Sequence, residues 1–151
     1  MTLTKASMAL TDLGFLVYWA VTVTALLPAE YAYRDYDNPV LADWNYSFLP
    51  LDLLASLTGI AALLTGCRGR RAAVRSLMLL SLALTSAAGL QAVAFWALRG
   101  DFTPGWWAPN LFLLLFPLPG IVHLARRDLG WPEARGLKPE VLKPEALKPE
   151  A

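Results

Sequence analysis

The chain has 151 residues, of which 56% are hydrophobic and 17% charged, and its net charge is +1. That is short of the roughly 25% charge of soluble domains, and the near-neutral balance gives no electrostatic footprint for nucleic acid. One cysteine and one histidine exclude an intrachain disulfide and a His/Cys metal cluster, so no metal or cofactor is expected.

The charge shortage falls in four blocks, each close to the roughly 20 apolar residues that cross a bilayer. The reading is an all-α, up-down-up-down four-helix membrane bundle over residues 1–130, with spans at about 8–28, 48–66, 72–98 and 106–125. Residues 131–151 form a separate tail. The first span is read as retained rather than cleaved, because LLPAEYAYR and further spans follow it. Thr11 or Ser7 would cap it, and Asp12 would sit near its positive end. Tyr18 and Trp19 fall mid-span, so their polar edges should face other helices.

Residues 29–47 make a polar aromatic loop. Glu30, Asp35, Asp37 and Asp43 against Arg34 leave it at −3, and Tyr31, Tyr33, Tyr36, Trp44 and Tyr46 suit a membrane–water boundary. Asp37-Asn38-Pro39 favours a turn. The loop should fold back onto the helix ends. Ser47 would cap the second span, with Pro50 in its first turn. That span carries a single carboxylate, Asp52, and a small-residue stripe, Thr58, Ala62 and Gly66.

Arg68, Arg70, Arg71 and Arg75 follow with no acid among them. They would set topology and meet anionic lipid headgroups. Cys67 beside them reads as a small residue at a helix end. The third span has Gln91 as its one strongly polar side chain after Leu77. Its stripe Ser81, Thr85 and Gly89 is the natural partner of the preceding one. In the fourth span, Pro117 and Pro119 predict a kink or break, leaving the carbonyls of Leu113 and Leu115 to be satisfied by neighbours or water. His123 marks the far end of that span. Beyond it, LKPEVLKPEALKPEA repeats every five residues and reads as a solvated, disordered tail.

Lysines and arginines in the short flanks put both termini inside: Lys5, the four loop arginines, Arg126 and Arg127 against Arg34 and Arg99. The acidic aromatic loop then faces outward. The expected location is the cytoplasmic membrane.

The run DYDNPVLADWNYSFLPLDL, with TDLGFLVYW before it and SLTG after it, resembles the YvaD-like family of uncharacterised small bacterial membrane proteins. The resemblance spans about residues 11–125. It implies a four-span bacterial protein and no activity.

The candidate ligand-binding residues are Asp52, Asp43, Trp44, Asn45, Asn38, Tyr46 and Gln91. A carboxylate under an aromatic vestibule suits an organic cation or a proton. Its plainer role is to complement the helix dipole or to pair with Arg34 or Arg99. The loop residues could equally be boundary anchors, and Gln91 interhelical glue. No nucleophile–His–acid set is present, and no catalytic residue is assigned. The leading expectation is a non-enzymatic accessory protein that associates through the vestibule with lipid, a second copy or another membrane protein. A solute or proton-coupled transporter would line a pathway with Asp52 and Gln91. An intramembrane enzyme on a lipid-soluble substrate would bring two or more acids together. An accessory protein would pack without a cavity.

Overall fold

A computed structural model describes residues 2–66 and 71–128, and every described element is helical. Cys67, Arg68 and Arg70 lie outside the described residues, as does the KPE tail. Helix α1 runs Thr2–Val23, α2 Ala29–Ala32, α3 Pro39–Tyr46, α4 Leu49–Gly66, α5 Arg71–Leu98, α6 Pro104–Leu115 and α7 Leu118–Asp128. Four stretches are long and apolar enough to cross a membrane: Thr2–Val23, Pro39–Gly66, Ala73–Leu98 and Pro104–Arg126.

The long helices alternate in direction. The middle pair, α4 and α5, shares the most extensive interface; α1 packs on α4, and α6 and α7 pack on α5. One end of the bundle is closed by an apolar plug. Met8, Ala62, Met78, Leu82 and Leu124 meet there from α1, α4, α5 and α7. Gly120 admits α7 to this end: a Cβ on it would lie 2.8 Å from the Thr4 side chain and 3.0 Å from that of Leu82.

The small residues decide how closely the helices approach. On α5, Ser81, Thr85 and Gly89 are all buried, as their spacing suggests. On α4 the buried line is Asp52, Ala55, Ser56, Gly59 and Ala62. Thr58 and Gly66 fall outside it, and the Thr58 hydroxyl turns back onto the Leu54 carbonyl at 2.7 Å. The contact face is thus rotated from the expected stripe. Gly89 lies against α6 so closely that a Cβ would come within 2.5 Å of the Leu114 amide nitrogen.

The fourth span is broken rather than smoothly bent. Pro117 cannot donate to the chain behind it, so α6 ends at Leu115 and α7 starts at Leu118. The neighbouring helix repairs the gap: Ser86 Oγ on α5 donates to the Leu114 carbonyl at 2.9 Å. That carbonyl lies between the two anticipated ones.

Two local readings change. Helix α1 starts six residues before the expected Met8, because the polar lead Thr2–Ser7 continues the helix. Asp12 is therefore mid-helix. Ser47 closes α3 instead of capping α4, with its hydroxyl on the Trp44 carbonyl at 2.6 Å. The Asn38-Pro39 pair opens α3: Asn38 Oδ1 accepts from the Val40 amide at 3.0 Å, with proline in the first turn.

Candidate functional site: an aromatic cavity over a buried carboxylate

At the end opposite the plug, the loop 29–47 folds back over the bundle through α2 and α3. Leu41 and Tyr33 are buried by it. Its other anchor is polar. Arg34 reaches the loop between α5 and α6, bonding Asp101 Oδ2 and Thr103 Oγ1, each at 2.7 Å. Asp101 holds that loop in turn: its Oδ1 accepts from the Thr103 hydroxyl at 2.7 Å and amide at 3.1 Å. The Thr103 hydroxyl bond, more than the arginine, keeps the Asp101 carboxyl below the ordinary carboxylate value. The guanidinium also lies 5.6 Å from the Trp96 ring centre.

Between these anchors is a cavity of about 230 Å³. Its walls are aromatic: Trp44 meets Trp96 edge-on at 5.7 Å and is backed by Phe95, which stacks on it at 3.9 Å from outside the lining. Trp106, Phe48 and Tyr33 add further rings, and Arg34 sits at the rim.

Asp52 forms part of the wall and is only 5% exposed. Its first-turn position satisfies the helix dipole, as the plainer reading expects. Its partner, however, is neither Arg34 nor Arg99. The indole N–H of Trp19, on α1, donates to Asp52 Oδ2 at 2.9 Å. Oδ1 is buried with no hydrogen bond. Asn45 repeats the pattern. Its Oδ1 accepts from the Tyr18 hydroxyl at 3.2 Å, while Nδ2 is buried and unpaired. Tyr18 and Trp19 thus turn their polar edges inward, and each fills one position of a two-position group. What remains without a partner is one acceptor atom and one donor atom, on two residues that line the cavity.

The candidate residues therefore separate. Asp52, Trp44 and Asn45 line the cavity. Asn38 is occupied as the cap of α3, and Asp43 is exposed on that helix. Tyr46 stands behind the wall, with its ring 5.9 Å from Trp19 and 6.0 Å from Tyr33. Gln91 is exposed on α5 and is not part of the lining. Of the arginine set, Arg75 is exposed, and Arg71 opens α5.

A second polar layer lies between cavity and plug, and the sequence reading did not place it. Asp12 is 0% exposed, and neither carboxylate oxygen has a hydrogen bond. The Ser56 hydroxyl donates to the Asp12 carbonyl at 3.1 Å. Gly59 makes room for the carboxylate: a Cβ there would collide with it and would lie 2.8 Å from Ser81 Oγ. Ser81 Oγ is itself buried and unpaired. The signal was present in the spacing of Met8, Asp12, Phe15 and Trp19, which share one face of α1 at steps of four, three and four.

Residues 4–129 match the model of a family of unknown function, DUF5360. The chain belongs to that family. It is 40% identical over 124 residues to the uncharacterised protein YvaD of Bacillus subtilis, covering 82% of this chain and 92% of that protein. The match takes in both polar layers, the cavity and the plug. No solved structure matches the chain.

Proposed function

We propose that this DUF5360 member is a four-span protein of the bacterial cytoplasmic membrane that binds a small organic amine in the aromatic cavity, with Asp52 as its counter-ion. The observation that carries the reading is the free, buried Oδ1 of Asp52 at the wall of a cavity built of rings. A buried acceptor without a partner costs on the order of 1–3 kcal/mol, and more when charged. An ammonium group would remove that cost and would also meet the aromatic faces favourably. Asn45 Nδ2 suits a hydroxyl or carbonyl on the same ligand. The volume is below the roughly 300–1,000 Å³ of drug-sized sites, which favours a one-ring or short-chain amine.

A lipid setting is supported by large apolar side chains left exposed along the helices, among them Leu10, Leu13, Val17, Leu57, Leu64 and Leu90. Such a belt would be costly in water and suits contact with acyl chains. Orientation follows the charges. Lys5, Arg75 and Arg126 are exposed at the plug end, whereas Glu30, Asp35, Asp37 and Asp43 lie at the cavity end. We place the plug and both termini on the cytoplasmic side, so that the cavity is loaded from outside.

Binding without chemistry is favoured over catalysis because Asp52 is the one carboxylate among the described residues that line the cavity. The cavity departs from the cavity-free packing expected of an accessory protein, and the role read here is instead ligand sensing or presentation. Titration of the protein in lipid nanodiscs, followed by tryptophan fluorescence, tests this. Benzylamine should quench saturably, and benzyl alcohol of the same shape should not. Equal response to both, or none to either, would remove the counter-ion reading. Asp52→Asn should abolish the discrimination.

A further inference from the structure

The layer around Asp12 has no role in the amine site. It lies about one turn from Phe15, which lines the cavity on the same helix, and about two turns from the Trp19–Asp52 pair: Asp12 to Trp19 on α1 and Asp52 to Gly59 on α4 are seven residues each, or about 10 Å of rise. Three helices converge on it. Asp12 comes from α1, Ser56 and Gly59 from α4, and Ser81 from α5, and the Asp12 and Ser81 side chains flank the point where Gly59 has no Cβ. Asp12, Ser56 and Ser81 are each 0% exposed. Both Asp12 oxygens and Ser81 Oγ lack partners.

Among the described residues, no opposite charge faces this carboxylate. On its own helix, Lys5 is seven residues away and exposed; on α4 the nearest ionisable group is Asp52, of the same sign. On α5, Arg75 precedes Ser81 by six residues and points outward, and on α7 His123 and Arg126 are exposed. An ionised carboxylate in such a place is strongly disfavoured, and ionisable groups within spans mark ion or proton routes. The remaining species able to neutralise it in so small a space is one that arrives and leaves as a single particle.

We infer that Asp12 is a second, buried site that takes up and releases a proton, exchanged with the aromatic cavity by way of Asp52 and Ser56. Uptake converts the carboxylate into a carboxylic acid, whose O–H is then free to turn toward the Ser81 hydroxyl, the other buried, unpartnered oxygen around Gly59. Release returns the proton to the cavity. Asp52 and Ser56 are four residues apart on one face of α4, one turn, and the Ser56 hydroxyl is held beside Asp12 by its bond to the backbone carbonyl, from which it must turn to reach the carboxyl group. The plug of Met8, Ala62, Met78, Leu82 and Leu124 offers no polar side chain, so the connection runs toward the cavity. The assignment stands whether or not the cavity takes an amine.

Infrared difference spectra of the protein in nanodiscs, recorded between pH steps with no amine present, test it. The wild-type protein should show a protonated-carboxyl C=O band that titrates. Asp12→Asn should remove that band, Asp12→Glu should restore it at a shifted frequency, and Asp52→Asn should retain it. Should Asp12→Asn fail to fold, labelling aspartate with ¹³C in the Asp52→Asn chain makes the assignment, because Asp12 is then the one buried aspartate left among the described residues. After a pH jump, Ser56→Ala and Asp52→Asn should each slow the appearance of the band at least tenfold. A band that never titrates, or that survives Asp12→Asn, would overturn the site. Loss of the band on adding sodium at constant pH would assign it to a metal cation instead. Unchanged kinetics in both variants would overturn the route.

Discussion

Trp19 donates its indole N–H to Asp52 at 2.9 Å, joining α1 to α4 across the base of the cavity. The bond orients the carboxylate so that Oδ2 is engaged and Oδ1 is free. Replacing Trp19 by Phe keeps a ring in place and removes the donor. A hydrogen bond to a charged group is worth about 1.5–3 kcal/mol, so Trp19→Phe should lower stability by about that amount. It should also weaken benzylamine binding without abolishing it, because the counter-ion remains. Thermal unfolding in detergent and the fluorescence titration measure the two effects separately.

Gly59 on α4 faces Asp12 of α1 and Ser81 of α5. A methyl group there meets the Asp12 carboxylate and Ser81 Oγ. Overpacking of this kind costs about 1–3 kcal/mol. Gly59→Ala should destabilise the bundle, and Asp12→Ala in the same chain should recover part of the loss by vacating the space. Additive losses in a double-mutant cycle would mean that the two residues do not share the seam.

The positions of these two residues show what could be read from the chain and what could not. Four apolar blocks give four long helices, and the Pro117–Pro119 pair gives the break in the last, because length and proline chemistry act locally. Asp52 stood out because it interrupts an apolar run near an aromatic loop. Asp12 did not, because placing the helix start at Met8 turned a mid-helix carboxylate into an ordinary first-turn acid. The loop 29–47 was legible as folding back, but not as two short helices: Asn38-Pro39 serves a turn and a helix start equally well. The cavity itself depends on which faces of α1, α4, α5 and α6 meet. Small-residue spacing gave that face correctly on α5 and one residue away from it on α4, where Gly59 rather than Thr58 is inward.

Gly89 and Gly14 make a controlled pair on the same principle. A Cβ on Gly89 would lie 2.5 Å from Leu114 N and 2.6 Å from Asn110 O, both backbone atoms that cannot rotate away. A Cβ on Gly14 meets nothing within 4 Å. Gly89→Ala should therefore separate α5 from α6, lower the melting temperature and enlarge or collapse the cavity that Asn110 and Leu113 line. Gly14→Ala should be neutral or stabilising by up to about 1 kcal/mol through helix propensity. Melting curves of the two variants in one detergent decide the matter.

The clamp at the cavity rim makes a prediction in pH. Asp101 is held below the ordinary carboxylate value first by the Thr103 hydroxyl, with Arg34 adding to it. A carboxyl whose folded-state pKa is depressed adds stability above its unfolded value, and that stability is lost as pH falls through the folded value. The clamp should thus be fully engaged at neutral pH and open only in acid, below about pH 4. Opening frees the α5–α6 loop, in which the Trp107 indole donates to the Asp101 carbonyl at 2.7 Å. A change in tryptophan emission confined to that acid range is expected in the wild-type protein. Asp101→Asn should abolish the transition while keeping the turn, since the amide oxygen can still accept from Thr103. Arg34→Gln should shift it upward, because one of the groups that favours the ionised form is gone. A transition that is unmoved in both variants would place its origin in another acid of the rim.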